Sequence, residues 1–259
     1  MIAGMDLSRA RILITNDDGI NAPGLKILEK IAKSLANEVW TVAPETEQSG
    51  AGHSLTLTQP LRMRKLGKQR FAVSGSPTDC VLFAVCQLMS ENPPDLVLSG
   101  VNRGANIGDD VTYSGTVAAA MEATILEIPA IALSQQTNDE KVAHWPTTAR
   151  FGPDIVRRLV DAGWSSDVFM NVNFPDCSPE QVAGVSVVAQ GRRKAGYEIR
   201  ELVDPRLLKY YWIGPAVSRE QRPGNTDYQA MDRREIAVTP LHMDLTHRGA
   251  LRTLKKKLQ

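Results

Sequence analysis

Cysteine is scarce, net charge is almost absent, and no apolar run comes near the length of a membrane helix. The 259-residue chain has three cysteines, Cys80, Cys86 and Cys177, too few and too irregularly spaced for a disulfide framework or a zinc knuckle. Reduced thiols are expected. Thirty Lys and Arg against 29 Asp and Glu leave a formal charge of +1, so no global field steers polyanions, and affinity for a phosphorylated ligand has to come from a local site. Nucleic acid is not an expected partner. The apolar stretches fall far short of the ~18 residues a membrane span needs, and residues 1–11 mix acid and base where a signal segment would be apolar. No membrane contact and a cytoplasmic address are expected. No Gly-x-x-x-x-Gly-Lys-Ser/Thr loop is present and no Gly-x-Gly-x-x-Gly follows the first apolar strand, which argues against P-loop and dinucleotide chemistry. The four histidines, among them His53, His242 and His247, form no pair at zinc-ligand spacing.

Hydrophobic residues make up 42% of the chain, enough to bury a core. Residues 11–15 form a β-rich apolar run that stops at turn residues, and after Pro23 the positions Leu25, Leu28, Ile31, Ala32 and Leu35 recur at helical spacing. Further strands are predicted at 39–43, 71–74, 95–99 (ending at Gly100), 130–134 and 168–174. Helices are predicted from Pro77, with Ser76 as its cap, from Gly115 through Leu126, and over 147–162. This βα alternation predicts a mostly parallel sheet covered by helices on both faces, because parallel strands need long crossovers. From about Gly184 the pattern changes to short β-rich pieces at 185–189, 210–213 and 235–238, read as antiparallel hairpin structure, and the last dozen residues read as a helix. The expected organisation is one domain over residues 1–259, with an α/β core at about 10–180 and a β-rich extension with a C-terminal helix at about 184–259. The extension has too little sheet of its own to stand alone, so it is expected to mediate assembly. The Lys255-Lys256-Lys257 run reads as a solvated helix end.

In an open parallel sheet, ligands bind beyond the carboxyl ends of the strands. Three polar segments follow strands here: Asn16-Asp17-Asp18-Gly19, residues 44–54 and residues 99–110. They are expected to meet on one edge. Adjacent carboxylates after a buried strand repel unless something compensates them, and a divalent cation does so. An oxygen-only set, Asp17 and Asp18 with Ser49 and Asn102 as neutral ligands, suits Mg²⁺ or Mn²⁺ better than Zn²⁺. An Asp-Asp pair also fits an Asx turn; its position after the first strand favours the metal reading. Tyr113-Ser114-Gly115-Thr116 opens a helix whose free N–H groups and hydroxyls attract phosphate, although an ordinary Ser/Thr cap has the same look.

Taken together, Asn16-Asp17-Asp18-Gly19, Ser49-Gly50, Ser76-Pro77-Thr78-Asp79-Cys80, Ser99-Gly100-Val101-Asn102 with Gly104 and Asn106, and the run from Gly108 to Glu122 resemble the SurE family of metal-dependent 5'-nucleotidases. The likeness continues at Tyr211-Trp212-Ile213-Gly214, Thr226-Asp227 and residues 239–246. It implies a SurE-like three-layer α/β/α fold with a Rossmann-like sheet and a C-terminal β-hairpin extension that forms a homodimer or homotetramer. It implies hydrolysis of nucleoside 5'-monophosphates, in some members of 3'-monophosphates or short polyphosphate, with one Mg²⁺ or Mn²⁺ per subunit. Carried over by position, Asp17, Asp18, Ser49 and Asn102 correspond to metal ligands, with Asp17 and Asp18 catalytic, and Asn106, Ser114, Gly115 and Thr116 to the phosphate-binding group. The stretch Thr46-Glu47-Gln48-Ser49 departs from many relatives, which place basic or Asn residues before the serine. Two other readings stand beside this one: an aspartyl-phosphate phosphatase, which usually wants Asp-x-Asp after the strand, and a non-catalytic metal- and nucleotide-binding sensor.

Overall fold

The computed structural model describes residues 4–192, 194–218 and 224–258. Along the chain run β1 (Arg11–Thr15), α1 (Pro23–Leu35), β2 (Glu38–Pro44), β3 (Met63–Gly67), β4 (Arg70–Val73), α2 (Pro77–Phe83), β5 (Leu96–Arg103), α3 (Gly115–Ile125) and β6 (Ala130–Gln135). Then come α4 (Trp145–Ala162), β7 (Val168–Phe174), β8 (Gly184–Val187), β9 (Lys194–Val203), β10 (Lys209–Ser218), α5 (Asp227–Asp232), β11 (Glu235–His242) and α6 (Arg248–Leu258).

Ile12, Leu13 and Ile14 of β1 are all fully buried. Side chains alternate along a strand, so a strand apolar at every position must be covered on both faces. Ile12 and Ile14 pack in one cluster with Leu25, Leu28 and Ile31 of α1 and Ile155, Val156 and Val160 of α4. Leu13 packs in a second cluster with Val81 of α2 and Val117, Ala120 and Ala123 of α3. The result is the expected three-layer arrangement. The central sheet has nine strands in the order β3-β4-β2-β1-β5-β6-β7-β11-β8, and β9 with β10 forms a separate two-stranded sheet. Within the large sheet only the β3/β4 and β7/β11 pairs are antiparallel.

Three features differ from the sequence reading. Strand β3 is an unpredicted edge: Met63 to Lys65 and Leu66 are exposed, and a charged edge strand has no apolar alternation to reveal it. Strand β5 does not end at Gly100. After a register shift it pairs Asn102 with Ser134 and Arg103 with Gln135. Gly100 sits at φ 130°, and a Cβ there would lie 2.2 Å from the Leu133 carbonyl oxygen, so this glycine marks an irregularity within the strand. Third, the segment from about residue 184 is not one hairpin unit. Strand β8 pairs parallel with β11, which pairs antiparallel with β7, and Ile236 and Val238 join the main core. Only β9 and β10 stand apart.

Candidate active site

Strand β1 has β2 on one side and β5 on the other, both parallel to it. The β1-α1-β2 connection runs to one side and β5 lies on the opposite one, so the strand order reverses beside β1, and a crevice opens beyond the strand ends. Asp17 and Asp18 leave β1 at this point. The Asn16 Nδ2 donates to the Gly19 carbonyl at 3.0 Å and closes the turn. The Gln48 N–H donates to the Asp17 carbonyl at 2.8 Å, which brings in the 44–54 segment. The Arg103 N–H donates to Asp18 Oδ2 at 3.2 Å, and the Thr116 hydroxyl donates to Asp17 Oδ1 at 2.5 Å. The three polar segments and the start of α3 therefore converge on the carboxylate pair.

Asp17 is almost wholly buried. Burial raises its carboxyl to about 6, Thr116's hydrogen bond opposes that rise, and the Asp18 charge adds to it. Asp18 is half-buried and is also raised, by burial first, against the opposing Arg103 N–H. Among the described residues, neither carboxylate has a Lys, Arg or His within ion-pair distance. Two adjacent, poorly solvated carboxylates with no such ion pair, and only the Arg103 charge near Asp18 to offset them, form a site that fits a divalent cation. The neutral oxygens suit the same ion. Asn102 donates through Nδ2 to the Gly104 carbonyl at 2.9 Å, leaving Oδ1, the atom a hard cation takes, outside that bond. Ser49, on the exposed loop, donates its hydroxyl to Glu47 at 2.8 Å, and its oxygen lone pairs can still coordinate. Beneath the turn, Asn16 Oδ1, Thr15 Oγ1 and Ser99 Oγ are buried without a hydrogen-bond partner. The oxygen donors of Asp17, Asp18, Ser49 and Asn102 suit a hard cation better than zinc; no group of three His, Cys, Asp or Glu side chains is arranged for a metal among the described residues.

Ser114 caps α3, accepting the Val117 N–H at 3.1 Å, and Gly115 and Thr116 follow as its first two residues. A Cβ at Gly115 would lie 2.8 Å from Asp17 Cβ and 3.0 Å from Pro77 Cγ. Only glycine lets the helix begin this close to the carboxylate. Thr116 is fully buried and its hydroxyl hydrogen is committed to Asp17, so its side chain faces the carboxylate pair. Asn106 is gripped from three sides. Its N–H donates to Asn173 Oδ1 at 2.8 Å, its carbonyl accepts from Asn171 Nδ2 at 2.8 Å, and its own Nδ2 donates to Ser134 Oγ at 2.8 Å.

Sequence reasoning missed Ser134, Asn171 and Asn173 as supports of Asn106. The available signal was two asparagines at alternate positions of an otherwise apolar strand. It also gave no role to Asp227, which accepts the Gly108 N–H at 2.7 Å and the Gly191 N–H at 2.8 Å and so ties the loop before α3 to the C-terminal region. His53 pairs with Glu122 of α3 at 2.9 Å and tethers the Ser49 loop to that helix.

The model of the family described as survival protein SurE matches residues 12–197. The chain is 55% identical over 250 residues to the 5'-nucleotidase SurE of Paramagnetospirillum magneticum, covering 96% of each protein. It is 54% identical over 249 residues to the protein of that name from Caulobacter vibrioides, covering 95% of each. The crystal structure of the SurE protein from Aquifex aeolicus superposes with a TM-score of 0.82 at 38% identity, over 96% of this chain and all of that one.

Proposed function

The chain belongs to the survival protein SurE family, and on that premise we propose that it is a 5'-nucleotidase that hydrolyses nucleoside 5'-monophosphates to nucleoside and phosphate. The observation that carries this reading is the Asp17-Asp18 pair, its buried member Asp17 accepting the Thr116 hydroxyl of the first turn of α3 at 2.5 Å. It sets a cation site against a helix N-terminus, the two things a phosphate monoester needs.

Asp17, Asp18, Ser49 and Asn102 would hold one Mg²⁺ or Mn²⁺ per subunit. That ion supplies the Lewis-acid charge that polarises phosphoryl oxygens and lowers the pKa of water. The remaining work falls to the chain. The N–H groups at the start of α3, with the Ser114 hydroxyl and Asn106, receive the equatorial phosphoryl oxygens and are fixed in place before substrate arrives. Thr116 holds Asp17 in position through its hydroxyl. A carboxylate of the pair takes the proton of the attacking water. No His or Lys lies within the Ser114-Gly115-Thr116 motif to activate either hydroxyl as a nucleophile, so water attacks phosphorus directly.

Phosphate release from 5'-monophosphates with Mg²⁺ or Mn²⁺ added, and its loss on chelation, tests the proposal. Tight nucleotide binding without any release would favour the sensor reading. A retained configuration at a chiral phosphorus would favour a covalent phosphoenzyme.

The same reading extends to assembly and location. Tyr211, Trp212 and Ile213 on β10 are 58%, 63% and 73% exposed, an apolar surface that a second copy would cover, giving a homodimer or homotetramer. No helix among the described residues is long and apolar enough to cross a membrane. All three cysteines are free, which suits a reducing cytoplasm.

A further inference from the structure

Residues 107–113 join Asn106 to Ser114, two members of the proposed phosphate-binding group, and their placement is set from far along the chain. We infer that Asp227, at the start of α5, is a positioning residue for phosphate binding: through the Gly108 N–H it fixes where this segment delivers Ser114 relative to Asn106. The inference deepens the phosphomonoesterase reading above and rests on it for the identity of the bound group.

The Asp227 carboxylate is wholly buried, and its two oxygens have divided duties. Oδ2 accepts the Gly108 N–H at 2.7 Å, while Oδ1 accepts the Gly191 N–H at 2.8 Å and the Tyr228 N–H at 2.9 Å. Burial raises the carboxyl, and the Gly108, Gly191 and Tyr228 N–H groups oppose that rise. A buried carboxylate oxygen left without a donor is costly, and bonds to a charged acceptor are the stronger kind. Releasing Gly108 would strip Oδ2 of its donor, so the segment is firmly held.

The neighbouring ring explains why these donors are glycines. A Cβ at Gly108 would lie 2.3 Å from Tyr228 Cε2, and one at Gly191 would lie 2.5 Å from Tyr228 Cδ2. Gly108 also sits at φ 55°, a conformation that favours glycine. Its carbonyl is held as well, accepting from Gln190 Nε2 at 2.7 Å, and Ile107 packs in one cluster with Val188, Tyr228 and Met231. From this fixed point the Asp110 N–H donates to the Ile107 carbonyl at 3.1 Å and the Ser114 N–H to the Asp110 carbonyl at 3.1 Å. The place of Ser114 therefore follows from that of Gly108. Asn106 has its own anchors, Ser134 on β6 and Asn171 and Asn173 on β7. The distance between the two phosphate-binding residues is thus a difference between two separately fixed positions, and Asp227 sets one of them.

The test compares the unaltered full chain with Asp227→Asn and Asp227→Ala. Binding of inorganic phosphate with Mg²⁺ present and binding of Mn²⁺ alone are titrated calorimetrically, hydrolysis of p-nitrophenyl phosphate is resolved into kcat and KM, and melting is followed. An asparagine that keeps its oxygen on the Gly191 and Tyr228 N–H groups turns its NH₂ toward the Gly108 N–H. It spares two bonds and breaks the one on the phosphate segment, so it stays informative if Asp227→Ala fails to fold. Asp227→Asn is expected to weaken phosphate binding and raise KM roughly 10-fold and to lower kcat/KM by up to roughly 10²-fold, the range for a binding group displaced from afar, with Mn²⁺ binding unchanged within about twofold. A lowered melting temperature with phosphate binding and KM unchanged would make Asp227 a support of the fold alone and overturn the inference. Equal weakening of phosphate and Mn²⁺ would overturn it too, since the damage would reach beyond the segment. Should the unaltered chain bind phosphate and hydrolyse no monoester, with Asp227→Asn still weakening that binding, the enzymatic reading falls and the positioning role stands.

Discussion

The nine-stranded sheet and the β9-β10 hairpin use the same β-rich vocabulary and end in opposite environments. In β1 and β5 every apolar side chain from Ile12 to Ile14 and from Leu96 to Leu98 is fully buried, whereas Trp212 and Ile213 of β10 are more than half exposed. Helices on both faces make the difference, not strand composition. An isolated two-stranded hairpin is marginal in water, so the core is self-sufficient and the hairpin's apolar surface is the one the proposed second copy would cover.

The largest expected effect breaks this contrast from the core side. Leu98→Ala should destabilise the chain by about 2–5 kcal/mol in denaturant titration, the cost of a buried leucine and its cavity, while Ile213→Ala should change protomer stability by less than about 0.5 kcal/mol. Comparable losses at the two positions would mean that the hairpin is already packed within one subunit.

Next in size is the carboxylate pair proposed to hold the metal. Asp17→Asn or Asp18→Asn should lower kcat by ~10²-fold or more while circular dichroism stays unchanged, because a lost ligand forfeits several kcal/mol of charge stabilisation. A variant that keeps full kcat and metal affinity removes its residue from the site.

The same carboxylate shapes stability. Folding raises Asp17 to about 6 from an ordinary 3.8, so the folded chain holds that proton more tightly than the unfolded one. Its contribution is fully present below pH 3.8 and is lost as pH rises through about 6. In chelated protein at pH 7.5, Asp17→Asn escapes this loss and should be more stable than the unaltered chain, by about 3 kcal/mol at most. Added Mg²⁺ or Mn²⁺ should reverse the order, since it binds only the folded unaltered chain. Identical melting curves under chelation would show that Asp17 is not strained by burial.

The smallest effect on the protomer sharpens the hairpin side. Trp212→Ser combined with Ile213→Ser should shift light-scattering mass toward smaller species and leave the melting of the sheet nearly unchanged. An unaltered mass would show that assembly, if present, uses another surface.

Legibility followed the physics of each element. Helix α1 was readable because Leu25, Leu28, Ile31, Ala32 and Leu35 repeat at the helical period, and all are buried. Strand β3 was not, because an edge strand exposes both faces. The end of β5 was misread because a glycine that permits close approach to Leu133 looks, in sequence, like one that stops a strand. In the site, Asp17, Asp18 and the Ser114-Gly115-Thr116 cap were visible as unusual local chemistry, whereas Asn171, Asn173 and Asp227 act on residues 65, 67 and 119 positions away.

By itself the sequence determined the layers, the strand-helix alternation and the chemistry of the polar turns, since these depend on periodicity and on neighbours within a few residues. Only the tertiary structure decided that β8 and β11 complete the large sheet, that Thr116 is spent on Asp17, and that Asp227 takes the Gly108 N–H. Those outcomes depend on which distant side chains a strand order brings within 3 or 4 Å, roughly one hydrogen bond or one van der Waals contact, and no local pattern encodes that distance.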